Sequence, residues 1–243
     1  MSSLTIHLVI LFWIRVSTAR LLPSCSDVTF TITATAENPV YSGVPDPNNE
    51  TQFVDFVHGV FSGSVTVANK TETFSGTYHI DAVYCRPPSV YDLVHADNIL
   101  EVLVHGITYN KTYWSGLGFG DYYNWHPFAN WRGYHTLAID RLGHGTNPER
   151  PDPFHVVEGA LQVEIMHQLI GLLRGGSRGN PTGRKFDKIA YVSISIYHVN
   201  LYSRPLRLDP VFSVFCTFPT VLSLTAVFAC TFGQPSCITL IVP

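Results

Sequence analysis

Apolar and polar residues alternate with a period of two along Val28-Thr29-Phe30-Thr31-Ile32-Thr33, the pattern of a strand with one buried face. Two further stretches repeat it, Val60-Phe61-Ser62-Gly63-Ser64-Val65-Thr66-Val67 and Thr73-Phe74-Ser75-Gly76-Thr77-Tyr78-His79-Ile80, with Ala68-Asn69-Lys70 as the turn between them. They predict a small antiparallel β region over residues 26–88, closed by Cys85-Arg86-Pro87-Pro88 because consecutive prolines cannot feed a central ladder.

From about residue 95 the pattern changes. Ile99-Leu100-Glu101-Val102-Leu103-Val104, Thr136-Leu137-Ala138-Ile139-Asp140 and Ile189-Ala190-Tyr191-Val192 are short, mostly apolar runs of the kind that form buried parallel strands. Between the last two, Leu161, Ile165, Leu169 and Leu173 recur every four residues and predict a helix over 157–174, stopped by Gly175-Gly176. Strands alternating with helices predict an α/β fold: a parallel sheet with crossover helices over 95–197. Residues 198–243 continue neither pattern. Val211 to Phe232 carries no charged residue and has the length of a membrane helix, but Pro219 interrupts it and no helical period emerges.

Composition narrows the function classes. Of 243 residues, 46% are hydrophobic and 14% charged, which excludes a disordered chain; a net charge of −3 without a basic block gives no basis for nucleic-acid binding. Leu8 to Ile14 followed by Ser17-Thr18-Ala19 predicts a signal peptide over residues 1–19, with a buried strand or an uncleaved anchor as the alternative. Asn49, Asn69 and Asn110 each open an Asn-x-Thr triplet, the acceptor pattern for glycosylation of an exported chain. Five cysteines form no CxxC; in an oxidising compartment Cys25 and Cys85 are a candidate disulfide, and the odd count leaves at least one thiol over.

Two motifs carry a family resemblance. Leu103-Val104-His105-Gly106, followed by Tyr113-Trp114, resembles the strand-to-loop junction that shapes the oxyanion hole of α/β hydrolases. Tyr134 to Gly145, containing Asp140-Arg141-Leu142-Gly143-His144-Gly145, resembles the next strand and turn of the same family. With Tyr84-Cys85-Arg86-Pro87 before them, residues 26–192 look like secreted fungal α/β hydrolases of the AB hydrolase-1 type. The resemblance implies a partial α/β-hydrolase fold preceded by the antiparallel β region. It makes His105, Gly106 and the N–H of Ile107 the oxyanion hole, and Asp140, Arg141, Gly143 and Gly145 a structural loop. It also implies a serine hydrolase parent, of esterase or lipase type, that takes a small hydrophobic ester or acyl ligand without a cofactor.

At the nucleophile the resemblance stops. The family's G-x-S-x-G elbow is replaced by Ser193-Ile194-Ser195-Ile196-Tyr197, so Ser195 holds the position without its flanking glycines. After Ser195 the only carboxylate is Asp209 and the only imidazole is His198. The expectation is a catalytically silent, C-terminally truncated or mis-spliced chain; Val192-Ser193 can be encoded by a consensus intron start. Two alternatives stay open: a membrane-attached or secreted binding protein anchored by residues 211–232, and a weak serine esterase using Ser195. The histidines show no metal-ligand spacing, and Gly116-Leu117-Gly118-Phe119-Gly120 lacks the lysine of a phosphate loop. The aromatics from Tyr113 to Trp131 read either as core packing or, by the resemblance, as the flank of a substrate pocket.

Overall fold

The computed structural model describes residues 22–41, 43–46, 48–65, 67–89, 98–106, 108–176 and 178–194, and the backbone of three later strands. Strand β1 (Ser24–Tyr41) is followed by helix α1 (Glu50–Ser62) and by strands β2 (Val67–Arg86) and β3 (Ile99–Val104). After three 3-10 turns between Lys111 and Tyr123 come helix α2 (Trp125–Asn130), strand β4 (His135–Ile139), helix α3 (Gly159–Gly175) and strand β5 (Lys188–Ile194). Strands β6 (Val211–Cys216), β7 (Ala226–Thr231) and β8 (Cys237–Ile241) complete one sheet of order β1-β2-β4-β3-β5-β6-β7-β8.

Strands β4, β3 and β5 are parallel, while β1–β2 and β2–β4 are antiparallel. The β-rich N-terminal region therefore does not stand in front of the parallel sheet. It is the margin of that sheet, joined through Ala82↔Ile139 to Cys85↔Thr136. The core is shared as well: Phe30 and Ile32 of β1 and Ile80 of β2 sit in one buried cluster with Leu100, Val102, Leu137 and Ile189.

The segment expected as a strand over 60–67 is different. Residues 50–62 form α1, because Asn49 caps its first turn by accepting from the Gln52 N–H (3.2 Å) and Phe53, Phe56 and Val60 repeat at helical spacing. Gly63, at φ 73°, supplies the left-handed stop. The long strand that pairs with β1 is β2, in continuous register from Ser24↔Arg86 to Pro39↔Thr71.

Helix α3 starts two residues later than its apolar period suggests. The N–H groups of Val156 and Val157 fold back to the Asp152 carbonyl, and Glu158 takes extended backbone as the N-cap. Leu161, Ile165, Leu169 and Leu173 are all buried against the sheet. The other sheet face carries Leu103, Ala138 and Val192, covered by Trp114 with Tyr113 and Trp125 packed beside it. The aromatic segment thus divides in two, since Phe119, Tyr122 and Tyr123 project into solvent.

The tail is not featureless either: β6 continues the parallel sheet beside β5, from Ile189↔Val211 to Ile194↔Cys216. Among the described residues no helix is long and apolar enough to cross a membrane.

Candidate functional site

Strand order β4-β3-β5 means that the chain leaves β3 to one side and returns past it to β5, so the sheet's switch point lies between the carboxyl ends of β3 and β5, with the loop after β4 beside it. Such a crossover point is where open α/β sheets bind ligands. The loop after β3 begins with His105 and Gly106, the loop after β4 with Asp140.

His105 is fully buried and ties the two loops together. Its Nε2 accepts from the Arg141 N–H at 3.1 Å, and its Nδ1 donates to the Gly106 carbonyl at 2.8 Å. Both ring nitrogens are used, in one tautomer. Burial lowers the ring's pKa from 6.5 to about 4, with Arg141 and His144 adding repulsion and the Gly106 hydrogen bond opposing them. His105 is thus a neutral clamp at ordinary pH. The His144 ring lies 5.2 Å from it, centroid to centroid, and Nδ1 of His144 is 3.0 Å from the Leu142 carbonyl.

Asp140 has no exposed surface. Its Oδ1 accepts from the Lys111 N–H at 2.7 Å; its Oδ2 accepts from Lys111 Nζ at 2.6 Å and from the Thr146 N–H at 2.9 Å. Burial alone would raise this carboxyl's pKa; the hydrogen bonds and the Lys111 charge outweigh it and hold the group below its usual range. Thr146 Oγ1 bridges onward to Asp81, and Asp81 accepts from Thr29 Oγ1 at 2.7 Å. Asn147 closes the turn, donating to the carbonyls of Asp140 and Arg141 while its Oδ1 accepts from the Asp81 N–H.

The glycines of the turn are there for space and backbone. A Cβ on Gly145 would stand 2.0 Å from Asp140 Cγ, at a φ of 56°. Gly143 has φ 76° but meets only the Val157 side chain, at 3.3 Å. Arg141 points toward α3, where its Nε donates to Gln162 Oε1 at 2.8 Å. Beside this pair lies a small cleft of about 30 Å³ lined by Arg141, Gln162, Met166, Tyr191 and Ile80. That is room for a water or two, far short of an ester ligand.

Several residues singled out from sequence lie outside the described residues or side chains: Ser195, Ile107, His198, Asp209, the side chain of Asn69 and the signal peptide expected over residues 1–19. Cys25 and Cys85 form a disulfide across β1 and β2. Asn49 caps α1, and Asn110 caps the 3-10 turn Lys111–Trp114 by accepting from the Thr112 N–H at 2.9 Å. Lys111, Thr146, Asn147 and Gln162 were not legible as parts of the site. The one signal for Lys111 was a lone cation in a segment otherwise rich in aromatics and glycine.

Position 193, where the elbow motif has its first glycine, is a strand residue. Ser193 is buried and paired with Val104 on one side and Phe215 on the other, and β5 continues through Ile194. Among the described residues no group of three or more His, Cys, Asp or Glu could hold a metal ion.

No family model matches this chain, and no curated protein matches it. Among solved structures it is similar to an epoxide hydrolase from an endophytic Streptomyces, at 18% identity and a TM-score of 0.28. The match covers 49% of this chain and 34% of that enzyme, so the chain spans about a third of the length of the protein it matches.

Proposed function

We propose that the chain carries the front part of an α/β-hydrolase fold and is silent as a serine hydrolase. The residues around Ser195 carry this reading: Ser193 and Tyr197 stand where the elbow needs glycines without side chains, and Ser193 is buried with ladder partners on both sides. The sheet order and the His105 clamp support the fold half of the proposal. The Cys25–Cys85 disulfide supports an oxidising, extracellular destination.

Purified full-length chain, offered p-nitrophenyl esters of short and medium acyl length, is expected to show no turnover above a Ser195→Ala control. A fluorophosphonate probe is expected to leave it unlabelled. Covalent labelling at Ser195 would overturn the proposal and favour a working esterase.

A further inference from the structure

Among the described residues strand β1 ends the sheet, and its single ladder is the one to β2. Among the described residues no backbone hydrogen bond from outside that ladder reaches it. Exposed edges of this length are ordinarily blunted by lysines, prolines or bulges. Residues 28–36 have none of these: the flanking charges are Asp27 and Glu37, and the proline and the register shift come together at Pro39/Val40. Along the edge, Thr29, Thr31, Thr33 and Thr35 are exposed, while Phe30, Ile32, Ala34 and Ala36 are buried on the α3 side.

We propose that β1 is a self-pairing edge, joining antiparallel to β1 of a second copy of this chain about a two-fold axis at Thr31. The axis must pass through a residue, not between two, or every buried side chain would face solvent in the partner's layer. An axis at Ile32 would set Asp27 against Glu37, a like-charge pair. An axis at Thr33 would bring Pro39 into the ladder opposite Asp27. With the axis at Thr31, Ser24 faces Asn38 and Asp27 faces Thr35. Phe30 then faces Ile32, and the threonines face one another on the outer surface. This is the longest overlap among these registers that avoids both faults. It forms roughly ten or more backbone hydrogen bonds, the number found in an ordinary protein interface.

The test is sedimentation equilibrium of the full chain, oxidised at Cys25–Cys85, with Thr31→Lys and Thr31→Glu variants measured separately and mixed. Thr31 is exposed in the single chain, so either charge is accommodated there. The unsubstituted chain is expected to dimerise at micromolar concentration. Each variant alone is expected to associate at least roughly tenfold more weakly, because its own charge meets itself at the axis. An equal mixture is expected to recover the dimer through a Lys–Glu pair. A monomeric unsubstituted chain, a dimer unaffected by Thr31→Lys, or a mixture that fails to recover would each overturn the proposal. Recovery in the mixture also separates loss of pairing from loss of folding.

Discussion

The Lys111 ammonium sits 2.6 Å from Asp140 Oδ2 while the Lys111 N–H sits 2.7 Å from Oδ1, so one carboxylate grips a single residue at both its main chain and its side chain. The pair is buried and joins the loop after β3 to the loop after β4. Neither loop could move without exposing half of an ion pair.

Removing one partner therefore strands the other. Lys111→Met is expected to lower stability in urea denaturation by about 3–5 kcal/mol, the usual cost of an uncompensated buried charge. Asp140→Asn is also expected to destabilise, because an amide group would turn N–H toward donors on Lys111 and Thr146. In a double-mutant cycle the two losses should fall well short of additive. Additive losses would mean that the contact contributes nothing as a pair.

Gly145 and Gly143 separate space from backbone. Gly143→Ala is expected to cost about 1–2 kcal/mol from its left-handed backbone alone. Gly145→Ala has the same backbone strain and also drives a methyl group into the Asp140 carboxylate, so its loss should be clearly larger. Equal thermal shifts for the two variants would show that the carboxylate can move aside.

What sequence made legible here is local. The four-residue stripe from Leu161 to Leu173 and the apolar run of β3 both follow from short-range periodicity, and both elements form over those residues. What it hid is pairing at long range. Nothing local shows that Val83 lies beside Ala138, so the antiparallel region looked separate from the sheet it borders. Alternation over Val60 to Val67 looked like a strand because the cap that makes the helix, Asn49, stands eleven residues earlier. In the site, Asp140 is visible within its glycine turn, but its counter-ion comes from 29 residues upstream. A charge in a loop has no periodicity to reveal it.

The disulfide closes a loop with a sequence separation of 60. In the loop-entropy account this restricts the unfolded chain by about 4 kcal/mol. The double variant Cys25→Ala, Cys85→Ala, or reduction of the unsubstituted chain, is expected to lower the denaturation midpoint accordingly. A shift below about 1 kcal/mol would mean that β1 and β2 stay paired in the denatured state.

Glu101 contributes a pH dependence of unusual sign. Burial raises its pKa from 4.5 to about 7, opposed by the hydrogen bond from Trp125 Nε1 at 2.8 Å. A carboxyl whose folded pKa is raised stabilises the native state fully below the unfolded value, and that stability is lost as pH rises through about 7. Glu101→Gln keeps an acceptor for Trp125 and removes the charge. The variant is expected to match the parent near pH 4 and to exceed it by up to about 3 kcal/mol at pH 8 and above. A constant difference across that range would place the raised pKa elsewhere.

In the Glu101→Gln background the buried rings of His105 and His126 can be read without the opposing contribution of that carboxylate. Burial lowers both His105 and His126 from 6.5 to about 4. Protonating Nε2 of His105 would cost it the Arg141 N–H, and Nδ1 of His126 is engaged with Thr136 Oγ1 at 2.8 Å. Both rings are neutral in the folded chain and charged in the unfolded chain between those two pH values. Their stability is therefore complete above about pH 6.5 and is lost as pH falls toward 4, by about 3 kcal/mol for each ring. In urea denaturation between pH 7 and 4.5 these two rings should thus contribute close to two protons to the uptake on unfolding, estimated from the linkage slope. His126→Gln should reduce that uptake by about one, because the clamp at His105 is untouched and still titrates only when the loops come apart.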